Sequence, residues 1–177
     1  MAHIVFITGG ARSGKSSFAE KRALEFGTSL GYLATAQMLD VEMHERIRRH
    51  RERRGVQWHT IEEPLHLSQA LLRSDGCYQV ILVDCVTLWL SNLLFRYEEH
   101  GEDCEERIRE DVEQLKSTLQ SMVTPVILVS NEVGQGIVPD NRLARLYRDI
   151  AGITNQAVAA AADEVHVVIS GIPLRLK

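Results

Sequence analysis

Lys15 and Ser16 close the run Gly9-Gly10-Ala11-Arg12-Ser13-Gly14-Lys15-Ser16, which meets the pattern G-x-x-x-x-G-K-[ST] at every required position. The chemistry this spacing serves is the cradling of a nucleoside triphosphate. Glycines let successive backbone N–H groups turn inward around an anion, and a helix N-terminus behind them adds partial positive charge. Lys15 is expected to reach the terminal phosphates as a catalytic cation, and the Ser16 hydroxyl to join a magnesium shell. A P-loop also calls for a carboxylate at the end of a neighbouring strand. Asp84 follows the apolar residues Val80-Ile81-Leu82-Val83 and is assigned to that Mg2+ site. Thr35, closing a second apolar run, falls on the same sheet edge as a nucleotide contact or a turn residue.

A second concentration of chemistry lies in His44–Arg54, where six arginines accompany two glutamates in a chain of net charge −4. Arginine forks match phosphate oxygens in pairs, so the triphosphate itself is a suitable partner. His50 sits inside this run, on a helical face with Met43, Ile47 and Arg54. The surrounding cations disfavour its imidazolium form, and a neutral imidazole is a competent nucleophile toward phosphorus.

These groups need a scaffold, and the pattern predicts one. Apolar runs alternate with helical periodicity, the signature of parallel βαβ units. Strands are expected at His3–Thr8, Leu30–Thr35, Val56–Ile61, Tyr78–Asp84, Pro125–Ser130 and Glu164–Ser170. Helices are expected from Ser17, from about Leu39 to Arg54, from Pro64, from about Thr87 to Tyr97, along the stripe Ile108, Val112, Leu115, Leu119 and Met122, and after an N-cap at Asp140. The last of these is read with Leu143, Leu146, Ile150, Ile153 and Ala157 on its buried face. The fold class is α/β, doubly wound around a mostly parallel sheet, P-loop NTPase-like and of the RecA-like kind, as a single domain over residues 1–177.

Composition narrows the function further. An apolar fraction of 45% and a charged fraction of 25% suit a globular chain, and the acidic balance argues against nucleic acid or an anionic membrane as partner. No apolar run approaches the ~20 residues that span a bilayer. The N-terminus enters a strand directly, and Cys77, Cys85 and Cys104 show neither pairing nor metal-ligand spacing; a reducing cytoplasm is the expected location.

Taken together, several segments resemble one family. They are Thr8–Ser16, Tyr32-Leu33-Ala34-Thr35-Ala36-Gln37, Asp40–Met43 with Arg46-Ile47 and His50-Arg51, Asn131–Gly134 with Gly136–Pro139, Asn141–Arg145, Arg148–Gly152 and Ala160–Val165. In that order and spacing the chain is similar, over its whole length, to the bifunctional adenosylcobinamide kinase/adenosylcobinamide-phosphate guanylyltransferases of cobalamin biosynthesis. The resemblance implies that the family's histidine nucleophile falls on His50. It places the nucleotide-binding residues on Gly9, Gly10, Ala11, Arg12, Ser13, Gly14, Lys15 and Ser16. Further nucleotide contacts fall on Ala34, Thr35 and Ala36, on Arg51, Glu52, Arg53 and Arg54, and on Glu62 and Asp84. Some members of the family carry glutamate where this chain has the shorter Asp84. A homotrimer is implied as well.

Two substitutions at phosphorus are then expected. The γ-phosphoryl of ATP or GTP moves to the hydroxyl of adenosylcobinamide. His50 next attacks the α-phosphorus of GTP, and adenosylcobinamide phosphate takes the guanylyl group to give adenosylcobinamide-GDP. The nucleotide must present two different phosphorus atoms, in two registers or to a basic segment that changes position. For the general base, Asp84, Glu132 and the substrate phosphate remain open. The competing readings are a P-loop small-molecule kinase without a covalent step, and a nucleotide-regulated RNA- or partner-binding module built on the basic run.

Overall fold

The first apolar run forms the centre of the molecule. Ile4–Gly9 (β1) is buried along its whole length, as expected of a strand flanked on both edges and covered on both faces. Successive side chains alternate: Ile4 and Phe6 enter one core cluster, Val5 and Ile7 the other. The computed structural model describes residues 2–37, 55–99 and 103–177. The basic run that carries His50 lies outside the described residues, as do His100, Gly101 and Glu102.

Among the described residues the other strands are Leu30–Ala34 (β2), Trp58–Glu62 (β3), Val80–Asp84 (β4), Val126–Val129 (β5), Glu164–Ile169 (β6) and Ile172–Arg175 (β7). They make one seven-stranded sheet in the order β3-β2-β4-β5-β1-β6-β7. All neighbours are parallel except β6 and β7, which form a terminal antiparallel hairpin. The helices are Lys15–Leu24 (α1), Leu67–Ser74 (α2), Val86–Glu99 (α3), Cys104–Ser121 (α4) and Arg142–Ala161 (α5). Ala19 and Ala23 of α1 pack on the face of Val5, Ile7, Leu82 and Val129. Helices α2 to α5 cover the opposite face, around the fully buried Trp89, Leu90, Ile108 and Leu115. Each such side chain contributes about 1.5–3 kcal/mol by leaving water. The Trp89 indole N–H is not wasted there, since it donates to the Leu65 carbonyl at 2.8 Å.

The alternating strand and helix pattern is thus the doubly wound fold expected from the sequence, with differences of detail. The helix expected from Pro64 begins at Leu67, because the Glu63 carboxylate first turns the chain by accepting from the Leu65 and His66 N–H groups. The N-cap of α5 is Asn141 rather than Asp140; its side chain accepts from Ala144 N at 2.7 Å. The inward face of α5 holds Ile150, Ala151, Thr154, Asn155 and Val158, whereas Ile153 is half exposed. Strand β7 was not expected at all.

Register sets the working edge. Cross-strand pairing aligns Glu62, Ala34, Asp84, Val129 and Ile7 in one row from β3 through β2, β4 and β5 to β1. The chain leaves β1 toward one face through α1, and leaves β5 toward the other through α5. A crevice therefore opens between the carboxyl ends of these two neighbours, the place where ligands of open α/β sheets gather.

Candidate active site at the carboxyl edge of the sheet

The run Gly9–Ser16 turns from β1 into α1, and backbone geometry explains two of its glycines, Gly9 and Gly14. Gly9 has φ +155°, and a Cβ there would stand 2.5 Å from the Val168 carbonyl oxygen and 2.7 Å from Ser13 Oγ. Gly14, at φ +96°, is the N-cap of α1 and supplies no side chain to its first turn. Among the described residues no side chain caps the N–H groups at that end, which suits them to another acceptor. Asp103 and Asn141, by contrast, cap their own helices with side-chain oxygens. Arg12 adopts a left-handed φ of 57°, uncommon outside glycine. Ser13 Oγ is buried without a hydrogen-bond partner among the described residues. An orphaned hydroxyl and a helix start that has no side-chain cap among the described residues both fit a bound phosphate.

Lys15 is buried to 9% exposure and folds back over the loop, its ammonium donating to the Gly10 carbonyl at 3.3 Å. Two strands away, Asp84 ends β4 half-buried, with Oδ2 accepting from the Tyr32 hydroxyl at 2.9 Å. Cys85, next in the chain, has its thiol pushed up to about 11, chiefly by burial and further by the negative charge of Asp84, with Lys15 acting in the opposite sense. It is a packed, unreactive thiol that registers both charges of the site. Ser16 and Asp84 offer hard oxygen donors, and magnesium is usually held by one or two such groups plus substrate phosphates. The residues present therefore fit that ion.

The second expected contact segment divides in two. Thr35 is fully buried, and its hydroxyl donates to the Cys85 carbonyl at 2.7 Å while accepting from Cys85 N at 2.9 Å. Its own carbonyl accepts from Asn92 Nδ2 at 2.8 Å. Thr35 thus ties the end of β2 to the end of β4, and Ala34 and Ala36 are the residues of this segment that remain half-buried at the edge. Glu62 is exposed at the end of β3, level with Ala34. Glu63 is spent on the turn before α2. His50, Arg51, Glu52, Arg53 and Arg54 lie outside the described residues.

Sequence reasoning missed two supports of the site. The hairpin turn between β6 and β7 lies against the phosphate loop, Gly171 N donating to the Ser13 carbonyl at 2.8 Å. A buried polar chain also runs behind β1: Ser130 Oγ donates to Asn155 Oδ1 at 2.6 Å, Asn155 Nδ2 to Glu132 Oε1 at 3.3 Å, and Thr8 Oγ1 to the same Glu132 oxygen at 2.6 Å. Hydroxyl and amide residues flanking an apolar strand end were its only signal.

A family model described as cobinamide kinase / cobinamide phosphate guanyltransferase matches residues 5–176. The chain is 43% identical over 181 residues to the bifunctional adenosylcobalamin biosynthesis protein CobU of Escherichia coli K12, covering 98% of this chain and 99% of that one. It is 44% identical to the bifunctional adenosylcobalamin biosynthesis protein CobP of Pseudomonas aeruginosa, over 97% of this chain and 95% of the relative. Among solved structures, the RadB recombinase superposes with a TM-score of 0.50 at 14% identity, over 93% of this chain and 73% of that one, a likeness of fold alone.

Proposed function

This chain belongs to the cobinamide kinase / cobinamide phosphate guanyltransferase family, enzymes pairing a kinase with a guanylyltransferase, and from that premise we propose that its second reaction runs through a guanylyl-histidine on His50. The observation that carries the reading is a P-loop and a strand-end acid on one sheet edge, within a chain that matches this family over residues 5–176.

In the first reaction the loop N–H groups and Lys15 hold the β- and γ-phosphates of ATP or GTP and stabilise charge on the transferring phosphoryl group. Ser16 and Asp84 would hold magnesium, which when bound neutralises phosphate charge. Ala34, Ala36 and Glu62 line the approach to the nucleotide. In the second, the neutral imidazole of His50 attacks the α-phosphorus of GTP and pyrophosphate leaves, its charge balanced by Arg51, Arg53 and Arg54. The phosphate of adenosylcobinamide phosphate then displaces the histidine. Splitting one hard displacement into two lowers the barrier of each.

Incubation of adenosylcobinamide with GTP, followed by mass analysis of the corrinoid, tests that both reactions run in this order. The expected products are adenosylcobinamide phosphate first and adenosylcobinamide-GDP second. Accumulation of the phosphate with no GDP ester would leave a small-molecule kinase instead.

A further inference from the structure

We infer that Glu132 is the catalytic base that takes the proton from the substrate hydroxyl in the kinase reaction, an assignment that rests on the function proposed above. Glu132 follows β5 and stands in the crevice between the carboxyl ends of β5 and β1. Its backbone N–H donates to the Gly9 carbonyl at 3.1 Å, which fixes it to the first residue of the phosphate loop. One carboxylate oxygen, Oε1, is held by Thr8 Oγ1 at 2.6 Å and by Asn155 Nδ2 at 3.3 Å. Asn155 is itself oriented by Ser130 Oγ and by a bond from Nδ2 to the Asn131 carbonyl at 3.1 Å. Thr8, Ser130 and Asn155 are all buried, at 6%, 0% and 8% exposure.

The other oxygen, Oε2, takes no hydrogen bond among the described residues, and Glu132 is only half-buried. A carboxylate gripped by one oxygen and open at the other is built to accept a proton in one direction. Tyr32 grips Asp84 in a similar way, but Asp84 is assigned to the metal, where a proton would compete with the cation. Glu132 lies between the two groups in strand order, because β5 separates β1 from β4.

The step balances. The hydroxyl oxygen of the cobinamide arm forms a bond to the γ-phosphorus, and the bond from that phosphorus to the β–γ bridging oxygen breaks. The electron pair leaves with the nucleoside diphosphate. The hydroxyl proton passes to Glu132 Oε2 and then to solvent. Guanylyl transfer has no such demand, since its acceptor is already an ionised phosphate.

The two half-reactions therefore separate a base from a structural strut. With adenosylcobinamide and ATP, Glu132→Gln is expected to lower kcat roughly 10²–10⁴-fold with the nucleotide KM changed less than about threefold. With adenosylcobinamide phosphate and GTP, the same variant is expected to stay within about threefold of wild type, which also reports that it is folded. Kinase activity within about tenfold of wild type, or equal loss in both reactions, overturns the assignment. If the glutamine variant does not fold, Glu132→Asp decides: it keeps a carboxylate but withdraws it by one methylene, so selective kinase loss supports the base, and equal or no loss overturns it. Wild-type protein that guanylylates but never phosphorylates the corrinoid overturns the kinase reading, and this assignment with it.

Discussion

At the scale of single residues, Glu164 gathers three cationic or hydrogen-bonding partners away from the site. It accepts from His166 Nε2 at 3.1 Å and His3 Nε2 at 3.0 Å, and Arg22 Nη2 lies 3.1 Å away. The hydrogen bond from His166, then that from His3 and the Arg22 charge, pull its carboxyl from 4.5 down to about 2 against the opposing effect of burial. A depressed acid stabilises the fold above its unfolded value and loses that contribution as pH falls through the folded one. Stability should therefore decline as pH drops from 4.5 to about 2. Glu164→Gln should cost about 1–3 kcal/mol at neutral pH and flatten that decline. Thermal melts of both proteins from neutral pH downward check it; parallel curves would contradict it. The places of Gly9–Ser16 between β1 and α1 and of Asp84 at the end of β4 were legible because a local motif fixes them. Thr35 was legible only in position: its hydroxyl is bound by Cys85, 50 residues away, and no local pattern reveals that partner.

Between elements, the phosphate loop does not stand alone. Ser170 and Gly171 link β6 to β7 in a two-residue turn with φ of 50° and 82°, and that turn carries the Gly171 bond to Ser13. A Cβ on Gly171 would meet nothing within 4 Å among the described residues, so there the backbone conformation is what penalises a side chain. Gly171→Val should cost roughly 1–2 kcal/mol and weaken nucleotide binding several-fold by shifting the turn that braces the loop. Gly76, at φ +75° and equally open, is remote from the loop and serves as control. Its valine variant should lose similar stability and leave nucleotide affinity unchanged. Titration of both variants with GTP reads the difference, and equal affinities would contradict the bracing role. The Ser-Gly pair between Ile169 and Ile172 is a hairpin signal, but Pro173 argues against a strand and hides it. The edge position resolves the conflict, since proline is tolerated there. Helix α5 misled for a related reason: apolar spacing favours Ile153, while the fold turns Thr154 and Asn155 inward, Asn155 for the polar chain to Glu132.

For the whole molecule, buried apolar runs of strand length separated by helical stripes were enough to indicate a doubly wound sheet. The order of strands was not, because pairing such as β1 with both β5 and β6 is decided by crossovers that leave no local trace. That order brings residues near 10, 84 and 132 to one edge, and the family match extends over all of them. The guanylyl transfer proposed for this enzyme depends on the covalent step at His50. GTP labelled at the α-phosphate, incubated with the protein and no corrinoid, tests it most directly. The label should become attached to protein, survive alkali, be released by acid, and be lost in His50→Ala. Label retained by His50→Ala, or wild-type protein that makes adenosylcobinamide-GDP without ever becoming labelled, would contradict it.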